Sequence, residues 1–155
     1  MGLISILNTN PMIFILIAIA LVFALCIHEF AHGYIAYLNG DVTAYRMGRL
    51  TLNPLAHLDP IGSIMILFIG FGYAKPVPVN PANLNNPRID MIKVAAAGPI
   101  SNFILSFIGV LFFTLLMKLN LMQDNYRIFL TYFIIINTYL GLFNLIPIYP
   151  LDGGQ

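Results

Sequence analysis

Residues 11–40 read PMIFILIAIALVFALCIHEFAHGYIAYLNG, and this stretch decides what kind of molecule the chain is. Met12 to Ile27 is unbroken apolar sequence. Pro11 stands before it, where the first turn of a helix tolerates a residue without an N–H. The run continues through HEFAHGYIAYL and meets Asn39-Gly40, a pair that ends helices. Such a helix is long enough to cross the ~30 Å hydrocarbon core of a bilayer and to protrude from it.

The rest of the chain has the same character. Of its 155 residues 59% are apolar and 8% charged, with a mean hydropathy of +0.88, whereas soluble domains carry about 25% charged residues. Ile92 to Met117 and Ile128 to Ile146 are two further apolar runs of spanning length, the second closing at Pro147 and Pro150. Pro60 to Tyr73 is apolar too, but it holds Gly62, Gly70 and Gly72 and falls short of the ~20 residues a span needs. It reads as a re-entrant segment. Asp41 to Asn53, DVTAYRMGRLTLN, alternates loosely and predicts a short strand or hairpin at the interface. The proline- and asparagine-rich stretch AKPVPVNPANLNNPR predicts an ordered loop at the membrane surface. The expected fold is therefore an all-α membrane protein, a polytopic helical bundle with a re-entrant segment and a short interfacial strand or hairpin. One membrane-embedded domain covers residues 1–155.

Several function classes drop out. A net charge of +1 with seven Lys and Arg offers no basic patch for a phosphate backbone, so nucleic acid is not an expected partner. The lone cysteine, Cys26, cannot form an internal disulfide or a cysteine zinc cluster and reads as a small buried apolar residue. The N-terminus lacks the basic region of a signal peptide and the Ser or Thr of a myristoylation site. If residues 60–73 do not cross, Arg46, Arg49, Lys75, Arg88 and Lys93 share one side and Lys118 and Arg127 the other. The positive-inside tendency makes the first side cytoplasmic. The expected location is the plasma membrane, multi-pass, with the polar end of the first helix toward the cytoplasm.

That polar end is His28-Glu29-Phe30-Ala31-His32, an H-E-x-x-H sequence. On a helix the two histidines project from one face with Cβ atoms about 5–6 Å apart, close enough to share a metal ion. Glu29 lies about 60° round from His32 on the adjoining face, positioned to take a proton from water. Ionisable residues in the membrane cost at least ~2.5–3.5 kcal/mol each on insertion scales, and a bound dication supplies compensation. Zinc needs a third protein ligand and a fourth open position. Asp152, after the last span in FNLIPIYPLDGG, is the stronger candidate, and His57, in the proline-framed turn NPLAHLDP, is the alternative. Asn102, three residues after Pro99, reads first as a partner for backbone freed by the proline and second as a residue that lines the cavity. Gly98 reads as a close-packing position.

Taken together, HEFAH, NPLAHLDPIG, AAAGPISN and NLIPIYPLDGG resemble, in that order, the motifs of the site-2 protease family of intramembrane zinc metalloproteases. The resemblance runs from about Leu25 to the last residue and is nearest the compact prokaryotic members without a PDZ domain. It implies His28, His32 and Asp152 as zinc ligands, which moves Asp152 ahead of His57, and Glu29 as catalytic base. It implies Asn144 as a residue that helps hold substrate or the oxyanion, and leaves His57 as a loop or substrate-side residue. The implied function is hydrolysis of peptide bonds within or near transmembrane segments of substrate proteins, with the lipid bilayer as the working environment. A membrane metal transporter and a catalytically inactive scaffold are the alternatives. Family members usually continue beyond the DGG motif, so a C-terminal truncation is expected.

Overall fold

Four helical segments begin on an Asn-Pro pair, for a local reason. At Asn10, Asn53, Asn80 and Asn86 the side-chain oxygen accepts a backbone N–H two or three residues on, while the following proline occupies the first helical position. The structure is a computed structural model that describes residues 3–69, 73–146 and 151–152. Its α-helices are α1 (Leu3–Thr9), α2 (Pro11–Leu38), α3 (Thr43–Arg46), α4 (Pro60–Ile69), α5 (Pro87–Lys118) and α6 (Asp124–Asn144), with single 3-10 turns at Pro54–Ala56 and Pro81–Asn83. Helices α2, α5 and α6 are long and apolar enough to cross a membrane. Helix α2 ends where its sequence predicts: Asn39 caps it and Gly40 turns the chain at φ +104°. Helices α5 and α6 start earlier than their apolar runs, because Pro87 and Asp124 already suit a first turn.

Helix α5 packs on both α2 and α6, and α2 also touches α6, so the three long helices form one bundle. Its outside is apolar: Ile15, Ile19, Phe23, Ile104, Phe107, Phe112, Tyr139 and Leu142 are all exposed. Its inside is small and polar. Among the described residues the largest side chains buried almost completely are Asn102, Asn137 and Pro99 in the bundle and Asp41 and His57 in the loops that follow α2. Lipid drives no hydrophobic collapse between helices, so close packing and interhelical hydrogen bonds hold them together. Gly109 lets α5 meet Phe133 and Ile134 of α6, Gly141 accepts the ring of Phe103, and Ser106 bonds Thr138 at 2.7 Å.

The expectation of a strand or hairpin over Asp41 to Asn53 is corrected. That segment folds as α3 and turns, and no named strand occurs among the described residues. Asp41 captures the backbone N–H of Thr43 at 3.0 Å, which closes the chain into a turn instead of leaving its N–H groups for a partner strand. Helix α4, at ten residues, rises about 15 Å, half a bilayer core. The flanks of the segment read as re-entrant meet: Leu58 and Ala74 form an antiparallel bridge, and Lys75 donates its N–H to the His57 carbonyl at 2.8 Å. Residues 70–72 of that segment lie outside the described residues.

Candidate metal centre

His28 and His32 lie one turn apart in the C-terminal half of α2, with ring centroids 4.7 Å apart. Their Nε2 atoms are 3.0 Å from each other and 3.0 and 3.1 Å from Asp152 Oδ2, which reaches them from beyond α6. The three atoms make a nearly equilateral triangle, and all three residues are buried or half-buried.

The far side of each ring defines what the near side offers. His28 Nδ1 lies 2.5 Å from Asn102 Oδ1, and His32 Nδ1 lies 2.7 Å from the Val94 carbonyl. Both partners are oxygens that only accept, so each Nδ1 carries a proton and donates it. In the neutral imidazole Nε2 is then a lone pair. Two such lone pairs and a carboxylate oxygen converge on one point, an arrangement that repels itself unless a cation lies among them. The spacing suits zinc: tetrahedral coordination with bonds of about 2.0–2.1 Å sets ligand atoms about 3.3 Å apart, close to the distances found here.

Room for the ion comes from α5. A Cβ on Gly98 would lie 2.6 Å from His28 Nε2 and nearer still to His32 Nε2, so only glycine leaves the triangle open on that side. Pro99 follows and offers no N–H to the carbonyl of Ala95, one residue along from the Val94 carbonyl that holds His32. The GP pair thus serves both as space and as a local loosening of α5.

Glu29 is buried beside the histidines, and its Oε2 accepts the Val77 N–H at 2.9 Å. Val77 belongs to an irregular strap, residues 73–80, laid across the polar end of α2. Arg49 Nη2 donates to the carbonyls of Lys75 at 2.8 Å and Pro76 at 3.2 Å, and Asn80 donates its N–H to Asp41 Oδ2 at 2.7 Å. Prolines at 76 and 78 keep the strap out of helix and leave Val77 as the N–H donor between them.

His57 is buried away from the triangle. Its Nε2 donates to the Thr51 carbonyl at 2.7 Å and its own carbonyl holds Lys75, so it stabilises the loop that carries the strap. Asn144 Nδ2 donates to the Leu140 carbonyl one turn back at 3.0 Å. Asn102 does more than the sequence suggests, since its oxygen faces a histidine of the triangle. The Val94 carbonyl and the Val77 N–H carry no side-chain signal and were invisible in the sequence. Asn137 was not: an amide inside the apolar run FIIINTYLG is itself a flag in a membrane helix.

Comparison with known proteins points the same way. The model of Peptidase family M50 matches residues 16–124. A Bacillus subtilis (strain 168) protein named "Putative zinc metalloprotease YwhC" is 46% identical over 144 residues, 88% of this chain and 65% of the relative. "Putative zinc metalloprotease Rip2" of Mycolicibacterium smegmatis is 32% identical over 99 residues, 61% of this chain and 38% of the relative. The chain thus spans less than two thirds of either relative's length. No solved structure matches it.

Proposed function

The chain belongs to peptidase family M50, and from that premise we propose that it is an intramembrane zinc metalloprotease that hydrolyses peptide bonds within or near transmembrane segments of other membrane proteins. The observation that carries this reading is the convergence of two imidazole lone pairs and one carboxylate on a single point, with a buried glutamate next in sequence to the first histidine. His28, His32 and Asp152 hold the metal ion, and Glu29 is the base. A zinc ion bound there supplies Lewis acidity. Glu29 takes a proton from the attacking water and returns it to the leaving amine, and the Val77 N–H keeps its carboxylate aimed while it does so.

The substrate is a membrane segment unwound at the scissile bond, because a helical peptide bond is covered by its own hydrogen bonds. Water reaches the bond from the side that carries Arg46, Arg49, Lys75, Arg88 and Lys93, which is the cytoplasmic face of the plasma membrane by the positive-inside tendency. Pro60 to Tyr73 enters and leaves on that same face, a reading supported by the meeting of Leu58 with Ala74 and by the short length of α4.

Metal content and cleavage of a transmembrane peptide in detergent, measured together on wild type, Glu29→Gln and Asp152→Ala, test the proposal. The expected result is about one zinc per chain in wild type and Glu29→Gln, cleavage in wild type only, and loss of both in Asp152→Ala. Cleavage by Glu29→Gln at the wild-type rate overturns the assigned base.

A further inference from the structure

The proposed mechanism makes no use of Asn137, a fully buried amide midway along α6. It opens a chain of amides that crosses three helices. Asn137 Nδ2 donates to the Phe133 carbonyl of its own helix at 2.8 Å. Asn102 Nδ2, on α5, donates to Asn137 Oδ1 at 2.9 Å and to the Ala24 carbonyl of α2 at 3.4 Å. Asn102 Oδ1 then faces His28 Nδ1. Backbone carbonyls can only accept, so the direction of every bond in the chain is set from its two carbonyl ends.

We propose that Asn137 is a positioning residue for the metal centre: by holding the Asn102 amide in one orientation it keeps the His28 proton on Nδ1 and the Nε2 lone pair toward His32 and Asp152. The proposal rests on the metal-centre reading above. Consider the other orientation of Asn102. Its Nδ2 would face His28, whose Nδ1 would become the acceptor and whose proton would stand on Nε2, in the space shared with His32 Nε2 and Asp152 Oδ2. The same flip would set Asn102 Oδ1 against Asn137 Oδ1 and the Ala24 carbonyl, three acceptors with no proton among them. Buried acceptors left unpaired in a low-dielectric interior are costly, so the flip is suppressed. Asn137 provides the nearer of the two opposing oxygens. His32 needs no comparable device, because its partner is a backbone carbonyl that cannot flip. A side-chain amide can flip, and Asn102 therefore needs a keeper. Through it the packing of α6 on α5 reaches a ligand atom on α2.

The test uses the full chain in detergent micelles with 15N-labelled histidine, stripped of zinc by a chelator and then titrated with zinc. With three histidines the ring nitrogens are assignable. In metal-free wild type, at a pH where the His28 ring is neutral, its proton is expected on Nδ1. Asn137→Leu, similar in volume, is expected to move it toward Nε2 and to weaken zinc binding by about 10- to 100-fold. Asn137→Asp, neutral in that buried setting, is expected to restore both, since its O–H donates to Phe133 and its C=O accepts from Asn102. A wild-type His28 carrying its proton on Nε2, or an Asn137→Leu protein with unchanged tautomer and zinc affinity, overturns the relay. If Asn137→Leu does not fold, the wild-type tautomer and its retention in Asn137→Asp decide the matter. Wild type that takes up no zinc overturns the metal-centre reading instead, and the His28 tautomer still tests the relay by itself.

Discussion

At Gly98 a hydrogen stands where any other residue puts carbon, and that atom separates an open triangle from a filled one. Gly98→Ala drives a Cβ to 2.6 Å from His28 Nε2. The rings cannot swing aside cheaply, because Asn102 and Val94 hold their far nitrogens. The expected outcome is loss of bound zinc, from about one per chain to almost none, with helix content by circular dichroism unchanged. Retained stoichiometric zinc in this variant would count against the triangle as the site. Legibility at this scale was uneven. H-E-x-x-H and the aspartate of PLDGG are chemical signatures, and their geometry on a helix follows from 3.6 residues per turn. Asn102 reads as a backbone partner or a cavity residue, and a single asparagine after a proline does not reveal which helix it will face. Gly98 read as a packing position, since a sequence shows that a side chain is absent without showing what fills the space.

Among the elements, the strap is where local chemistry and function meet. Its C-terminal anchor is Asp41, which is fully buried and accepts from the Thr43 N–H, the Asn80 N–H and Asn83 Nδ2. Burial works to raise the Asp41 pKa, but the hydrogen bonds from Thr43, Asn80 and Asn83 outweigh it and hold the carboxyl below its ordinary range. A group whose pKa is lower folded than unfolded stabilises the fold above its unfolded value, about 3.9, and that contribution fades as pH falls through the folded value. Limited proteolysis between α3 and α5 should therefore accelerate below about pH 4 in wild type. In Asp41→Asn, cleavage there is expected to be faster at neutral pH, by about 1–3 kcal/mol of lost protection, and flat across the acid range. An Asp41→Asn protein with the wild-type pH response would show that another carboxylate is responsible. The strand expected in this region failed because alternation of residue types says nothing about whether a partner edge exists. Asp41 and two glycines at positive φ, Gly40 and Gly48, turned the chain instead.

The whole molecule is a thin bundle whose cohesion depends on close helix approach. At Gly141 a Cβ would stand 2.9 Å from the ring of Phe103, itself on the helix that carries Gly98 and Asn102. Gly141→Leu is expected to force α5 and α6 apart and destabilise the bundle by about 1–3 kcal/mol, the usual range for overpacking. Thermal unfolding in detergent measures it directly, and zinc affinity should fall in parallel because Asn137 and Asn102 lose their register. An unchanged melting temperature would mean that the helices meet elsewhere.

That this chain lives in lipid, where its three long helices run, where α2 stops, and which two histidines and which glutamate share a face can all be read from the order of its residues. Those properties depend on apolar length, capping residues and helical period, all of which are local. The distances that bring Asp152 onto the two histidines, Gly98 as the floor of their space, Asn102 and Val94 behind the rings and Asn137 behind Asn102 come from the way the helices pack. Those are contacts between helices far apart in the chain. The packing of α2, α5 and α6 on one another sets them, and no local pattern of residues records it.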